Sequence, residues 1–181
     1  PVRDGRKFLK KNGFQTHQAK SCIIVGGGRA AYYLAKRLIE LGISVQIVEN
    51  KKERCEELSV LLPQAIIVNG DGTSEELLNE IGITTTESLV PLTGIDEENI
   101  MLTLYAKEVS NAKVVTKINR ITYTGVIDQL DLGSVVYPKY ITSEAIIAFV
   151  RSKTATMNNN IETMIHLFDE RVEAVSYTHL R

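Results

Sequence analysis

Short apolar runs alternate along this chain with longer stretches in which apolar residues recur at helical spacing. Residues 21–25 read as a buried strand. Residues 29–41 follow as a helix with Leu34, Leu38 and Leu41 on one face, and Gly42 stops it. A second strand spans 44–49 and ends on an acid; a charged helix over 51–61 is closed by Pro63. The third strand, 65–68, meets the turn Asn69-Gly70-Asp71-Gly72. Thr73 or Ser74 then caps a helix carrying Leu77, Leu78 and Ile81. A fourth strand at 88–92 passes through Thr93-Gly94 into a helix at 97–109. A fifth strand (113–118), a weaker helix (123–130), a sixth strand (134–137, ended by Pro138) and an apolar helix (141–151) complete the series.

Strands alternating with helices of this length predict parallel βαβ units. The expected fold class is therefore α/β: a Rossmann-like, doubly wound parallel sheet of six strands in the order 3-2-1-4-5-6, plus C-terminal crossover helices. This domain is expected over 20–152, with 1–19 as a link from a preceding region. Residues 153–181 are expected to be a polar linker to about 160, a short helix at 161–168 and a strand at 171–177. Those elements are too few for a second core and read as the start of a further lobe. The polar, basic first 20 residues lack the apolar core of a signal peptide and an initiator Met, so the chain reads as a piece of a longer protein.

Composition narrows the partners. A net charge of −1 provides no broad basic field for nucleic acid or anionic lipid. No apolar stretch approaches the ~20 residues of a membrane helix, so direct membrane insertion is not expected. Cys22 and Cys55 lack CxxC spacing, which argues against a zinc site or disulfide scaffold and for a reducing cytoplasm.

The chemistry begins where the first strand ends. Gly26-x-Gly28-x-x-Ala31 fits the dinucleotide fingerprint with Ala in the permitted third place. Gly26 allows a tight turn, Gly28 lets a pyrophosphate approach the backbone, and Ala31 lets the helix pack against the sheet. Arg29 and Ala30 open the helix, whose positive end favours phosphate. The second strand ends at Glu49, 21 residues after Gly28, where a carboxylate accepts ribose hydroxyls and repels a 2′-phosphate. That favours NAD over NADP; the bland alternative is a surface Glu beside an ordinary turn. Asp71, with Gly72, is placed to meet adenine or ribose, or is simply a turn residue. Thr93 and Gly94 stand beside the glycine turn if the strand order holds. Asp96 to Glu98 are weaker candidates, read as a helix start or a cation site. Lys117 and Arg120, with Arg29, could neutralise phosphates. No GxSxG or Walker sequence is present, His17, His166 and His179 lie outside the Rossmann-like region, and no metal-ligand spacing occurs. A catalytic function is therefore not expected.

Taken together, Ile24-Val25-Gly26-Gly27-Gly28-Arg29, Gly70-Asp71-Gly72-Thr73, Leu92-Thr93-Gly94 with Asp96-Glu97-Glu98-Asn99-Ile100-Met101, and Lys117-Ile118-Asn119-Arg120 resemble the KTN/RCK nucleotide-binding domains, from about Lys20 to Arg151. The resemblance implies a cytoplasmic regulator, peripheral to the inner face of the plasma membrane through a potassium-translocating membrane subunit. It implies binding of NAD or NADH, alternatively ATP or ADP, with a ligand-dependent change of conformation and no turnover. By carry-over, Gly26, Gly28 and Arg29 would hold phosphates, Glu49 the ribose and Asp71 the adenine side; Thr93, Gly94 and Lys117 would close the other side. Ala30-Ala31 departs from the family, where a larger residue and Gly are common, and residues 176–181 do not fit the pattern. The apolar helix with Ala145, Ile146, Ile147, Ala148, Phe149 and Val150 implies a homodimer or a larger assembly of dimers. The competing readings are an NAD-dependent oxidoreductase fragment lacking its substrate domain, and an assembly module with an empty cleft.

Overall fold

In the computed structural model the described residues are 18–120, 124–127, 129–155, 161–167 and 172–177. Most of the expected leading link, and residues 156–160 of the expected linker, lie outside them. Residues up to Val136 form one compact unit and those from Tyr137 a second.

In the first unit, strands β1 (Ser21–Val25), β2 (Ser44–Glu49), β3 (Ile66–Asn69), β4 (Ser88–Pro91), β5 (Lys113–Lys117) and β6 (Ser134–Val136) form one sheet in the order β3-β2-β1-β4-β5-β6. Every pairing is parallel, as the sequence leads one to expect of the Rossmann-like order. The helices between them are α1 (Arg29–Glu40), α2 (Lys52–Leu61), α3 (Glu75–Glu80), α4 (Asp96–Val109) and α5 (Thr124–Ile127).

β1 explains the two-sided core. Its side chains alternate between faces, so Cys22 and Ile24 pack with Ala31 and Ala35 of α1 and with Leu58 of α2. Ile23 and Val25 face the other way, against Leu78 of α3 and Leu102 and Ala106 of α4. Both faces being covered, the strand is apolar throughout. Ala31 and Ala35 are fully buried, which keeps α1 close to the sheet.

The second unit holds α6 (Pro138–Ala155) and an antiparallel pair, β7 (Ile161–Leu167) and β8 (Val172–Tyr177). Three expectations are corrected. The short helix expected at 161–168 is strand β7: Ile161, Thr163, Ile165 and Leu167 alternate with period two, and three of them are β-branched. The apolar helix begins at Pro138, not residue 141, because proline with its fixed φ suits the first helical position, and it runs on to Ala155. Among the described residues, the weak helix expected at 123–130 is the single turn α5. Within the described residues no helix is long and apolar enough to cross a membrane.

Candidate functional site

A cleft of about 690 Å³ opens at the carboxyl ends of β1 to β5. Of the predicted site residues, Gly26, Gly28, Glu49, Asp71, Gly72, Thr93, Gly94 and Lys117 all line it. Arg29 and Ala30 do not: they lie exposed in the first turn of α1, outside the lining.

The three glycines of the first turn differ in what requires them. Gly26 has φ of 100°, and a Cβ there would lie 3.0 Å from the Leu92 backbone. At Gly27 a Cβ would come within 2.7 Å of Leu58 and 2.9 Å of a Glu49 carboxylate oxygen. Gly28 has φ of −67° and a Cβ there would meet nothing within 4 Å. The fold therefore demands the first two glycines but not the third. No side chain caps α1 at Gly28, so the positive helix end lies open beside the cleft.

Glu49 does more than the sequence suggested. Its carboxylate accepts the Gly27 N–H at 2.7 Å and the Lys51 N–H at 2.9 Å. It thus pins the glycine turn and the β2–α2 turn, and its remaining lone pairs are what a ribose would use. Arg54, which sequence reasoning missed, donates its Nε–H to the Gly27 carbonyl at 2.7 Å, pairs with Glu57 at 2.6 Å and lines the cleft. The peptide groups of Gly27 are held at both ends by side chains. The clue was available: Arg54 falls in the first turn of the helix that follows the acid.

On the β3 side, Asp71 Oδ1 accepts the Thr73 N–H at 2.8 Å and the Thr73 hydroxyl at 2.7 Å. The bonds from Thr73 hold the exposed Asp71 carboxyl below the usual carboxylate value. Ser74, not Thr73, caps α3, accepting from the Leu77 N–H at 3.3 Å. Gly72 packs against Val25, where a Cβ would come within 2.3 Å. Beneath Glu49, the Cys55 thiol donates to the Glu49 carbonyl at 3.3 Å; burial pushes its pKa up, as fits an unreactive thiol. Both cysteines are free.

The opposite wall comes from the loops after β4 and β5. A Cβ at Gly94, like one at Gly28, would meet nothing within 4 Å. Thr93 spends its hydroxyl locally, donating to the Ile95 carbonyl at 3.0 Å. The Lys117 ammonium donates to the Leu92 carbonyl at 3.2 Å. Burial lowers the Lys117 pKa, against the opposing pull of Asp96. Asn99, a second residue that sequence reasoning left unassigned, is fully buried and bonds to both loops.

Of the acidic run, Glu98 lines the cleft, while Asp96 and Glu97 bond to the segment after β5. Asp96 Oδ1 accepts from the Asn119 N–H (2.9 Å) and side-chain amide (2.8 Å), and Oδ2 from the Arg120 N–H (2.8 Å). Arg120 pairs with Glu97 at 2.7 Å and lies outside the cleft lining, so the structure does not bring it together with Lys117 there. Among the described residues, no three His, Cys, Asp or Glu side chains form a metal site.

A parallel sheet in this order, with a glycine turn opening a crevice at the switch point between β1 and β4, defines a Rossmann-like domain. The chain belongs to the TrkA-N domain family, whose model matches residues 22–138. The family resemblance read from the motifs is thereby borne out. Trk system potassium uptake protein TrkA of Haemophilus influenzae is 33% identical over 158 residues, covering 87% of this chain and 34% of that protein. The protein of the same name in Halomonas elongata is 32% identical over 175 residues, 97% of this chain and 37% of that one. This chain thus spans about a third of the length of the curated relatives it matches. In fold it is similar to the TrkA-N domain of the inner membrane protein ybaL from Escherichia coli (TM-score 0.65, 15% identity, 75% of this chain and 99% of that one). It is also similar to the GsuK channel bound to NAD (TM-score 0.57, 12% identity, 91% of this chain and 29% of that one).

Proposed function

We propose that this chain is the nucleotide-sensing part of a regulatory subunit that gates a potassium uptake system. The observation that carries this reading is the cradle around Gly28. The backbone there is open, the helix end is uncapped, and no protein atom requires a glycine. A pyrophosphate that must touch the backbone does require one. Gly94 repeats the pattern on the facing wall.

In this reading Gly26 and Gly28 hold phosphates, and Arg29, exposed in the first turn of α1, supplies a positive charge close by. Glu49 accepts the ribose hydroxyls and Asp71 faces the adenine side. Thr93, Gly94 and Lys117 bound the remainder of the ligand. The ligand is NAD or NADH, alternatively ATP or ADP, because both classes carry an adenosine ribose and phosphates. The names of the relatives support potassium uptake, and the NAD-bound GsuK channel supports a nicotinamide ligand.

The bound nucleotide acts as an effector and is not consumed. Glu49 and Asp71 in the cleft each accept backbone N–H groups, and the Thr93 hydroxyl donates to a backbone carbonyl, roles that hold the loops around the ligand. Binding favours one arrangement of subunits over another, and that difference biases the gate. The subunit is cytoplasmic and meets the membrane through a potassium-translocating partner. It is a homodimer or an assembly of dimers, supported by α6, where Tyr140, Ile141, Ile146 and Ile147 are all exposed.

Calorimetric titration with NADH, NAD, ATP and ADP, followed by assay of the nicotinamide redox state, tests this. Binding with no change of redox state is expected. Turnover of the nicotinamide would replace the sensor with an oxidoreductase.

A further inference from the structure

The β4–β5 pairing covers only Ser88–Lys113 and Leu89–Val114. Beyond Leu89 and Val114 the two strands share no ladder, yet their ends supply the far wall of the cleft. One side chain spans the gap. Asn99, on α4 and 0% exposed, accepts the Thr93 N–H on Oδ1 at 3.0 Å. Its Nδ2 donates to the Thr93 carbonyl at 3.3 Å and to the Lys117 carbonyl at 3.0 Å. The carboxamide thus grips Thr93 as a neighbouring strand would, and ties it to Lys117. Both of its amide hydrogens and one of its Oδ1 lone pairs are used.

We infer that Asn99 is a positioning residue for the distal part of the bound nucleotide, the part beyond the first phosphate. This rests on the nucleotide reading of the cleft. Asn99 touches no ligand. It fixes the Thr93–Gly94 backbone and the start of the Lys117 side chain, whose ammonium is drawn onto the Leu92 carbonyl. The adenosine end is built separately, by Glu49 on β2 and Asp71 after β3, with bonds that do not involve Asn99. A ligand that ends at its first phosphate is therefore indifferent to Asn99, whereas a dinucleotide that reaches the far wall depends on it.

The test compares AMP with NADH on the whole chain. In Asn99→Asp and Asn99→Ala, NADH affinity falls about tenfold, the loss of roughly one polar network contact, while AMP affinity stays within about twofold. Thr103→Val is the structural control. Thr103 donates to the Asn99 backbone carbonyl at 2.8 Å and bonds Thr116 at 2.7 Å, one turn further along α4. That variant lowers the melting temperature and leaves the NADH-to-AMP ratio unchanged. Equal losses for both ligands in the Asn99 variants, no loss for either, or the same ratio shift in Thr103→Val would overturn the inference while leaving the nucleotide reading intact. Failure of wild type to bind either ligand would overturn both. If the Asn99 variants do not fold, hydrogen exchange on wild type decides: NADH slows exchange over residues 92–98 and AMP does not. Equal protection by the two would overturn it.

Discussion

Gly26 and Gly28 stand two residues apart and answer to different masters. Gly26 is required by the fold, through its φ of 100° and its contact with the Leu92 backbone. Gly26→Ala should therefore cost more than about 1 kcal/mol of stability, read by urea unfolding. Gly28→Ala meets open space and an ordinary φ, so its stability should change by less than about 1 kcal/mol, the scale of an N-cap change. Equal destabilisation by the two would contradict this division. Glu49 illustrates what spacing reveals and what it hides. Its place at the end of β2 was legible, because the fingerprint fixes the distance from glycine to acid. Its grip on the Gly27 and Lys51 N–H groups was not, since that depends on how two turns meet in space. Glu49→Ala should accordingly lower stability by about 1–3 kcal/mol as well as weaken nucleotide binding. An unchanged melting temperature would show that the turn holds itself.

At the scale of elements, the start of α4 is latched to the end of β5 by Asp96. Burial pushes the Asp96 carboxyl up, but the bonds from Asn119 and Arg120 outweigh it and leave the pKa below the ordinary aspartate value of 3.8. A folded pKa lower than the unfolded one stabilises fully above the unfolded value. That stability is lost as pH falls through the folded pKa. Asp96→Asn should therefore be less stable than wild type by about 1–3 kcal/mol at neutral pH, with the gap closing below pH ~3.8. A gap that does not vary with pH in unfolding titrations would contradict the latch. Most strands and helices of the first unit were readable because short apolar runs alternate with longer mixed stretches, with breaks at Gly42, Pro63 and the turn at 69–72. β7 was misread because seven residues can satisfy either period, and only its partner β8 decides. Asn99 and Arg54 escaped notice for a related reason. Both sit on helices, and their targets are backbone groups of distant loops.

At the scale of the molecule, α6 exposes Ile146 (58%) and Ile147 (47%) to solvent within this chain. We predict that sedimentation velocity will show a dimer or a multiple of dimers, and that Ile147→Lys will shift it toward monomer. A wild-type monomer at every accessible concentration would remove the subunit movement from the mechanism. The membership in the TrkA-N family fixes the kind of domain. The relatives, about three times longer than this stretch of chain, frame where such a domain works. In the proposed function the cleft is a nucleotide cradle whose third glycine serves the ligand and not the fold. Calorimetry of NADH and ATP on wild type and on Gly28→Ala, with both melting temperatures recorded, addresses it directly. Wild type should bind at least one of the two, and Gly28→Ala should melt alongside wild type while losing at least about tenfold in affinity. Equal affinity in the two proteins, or no binding to either, would contradict it.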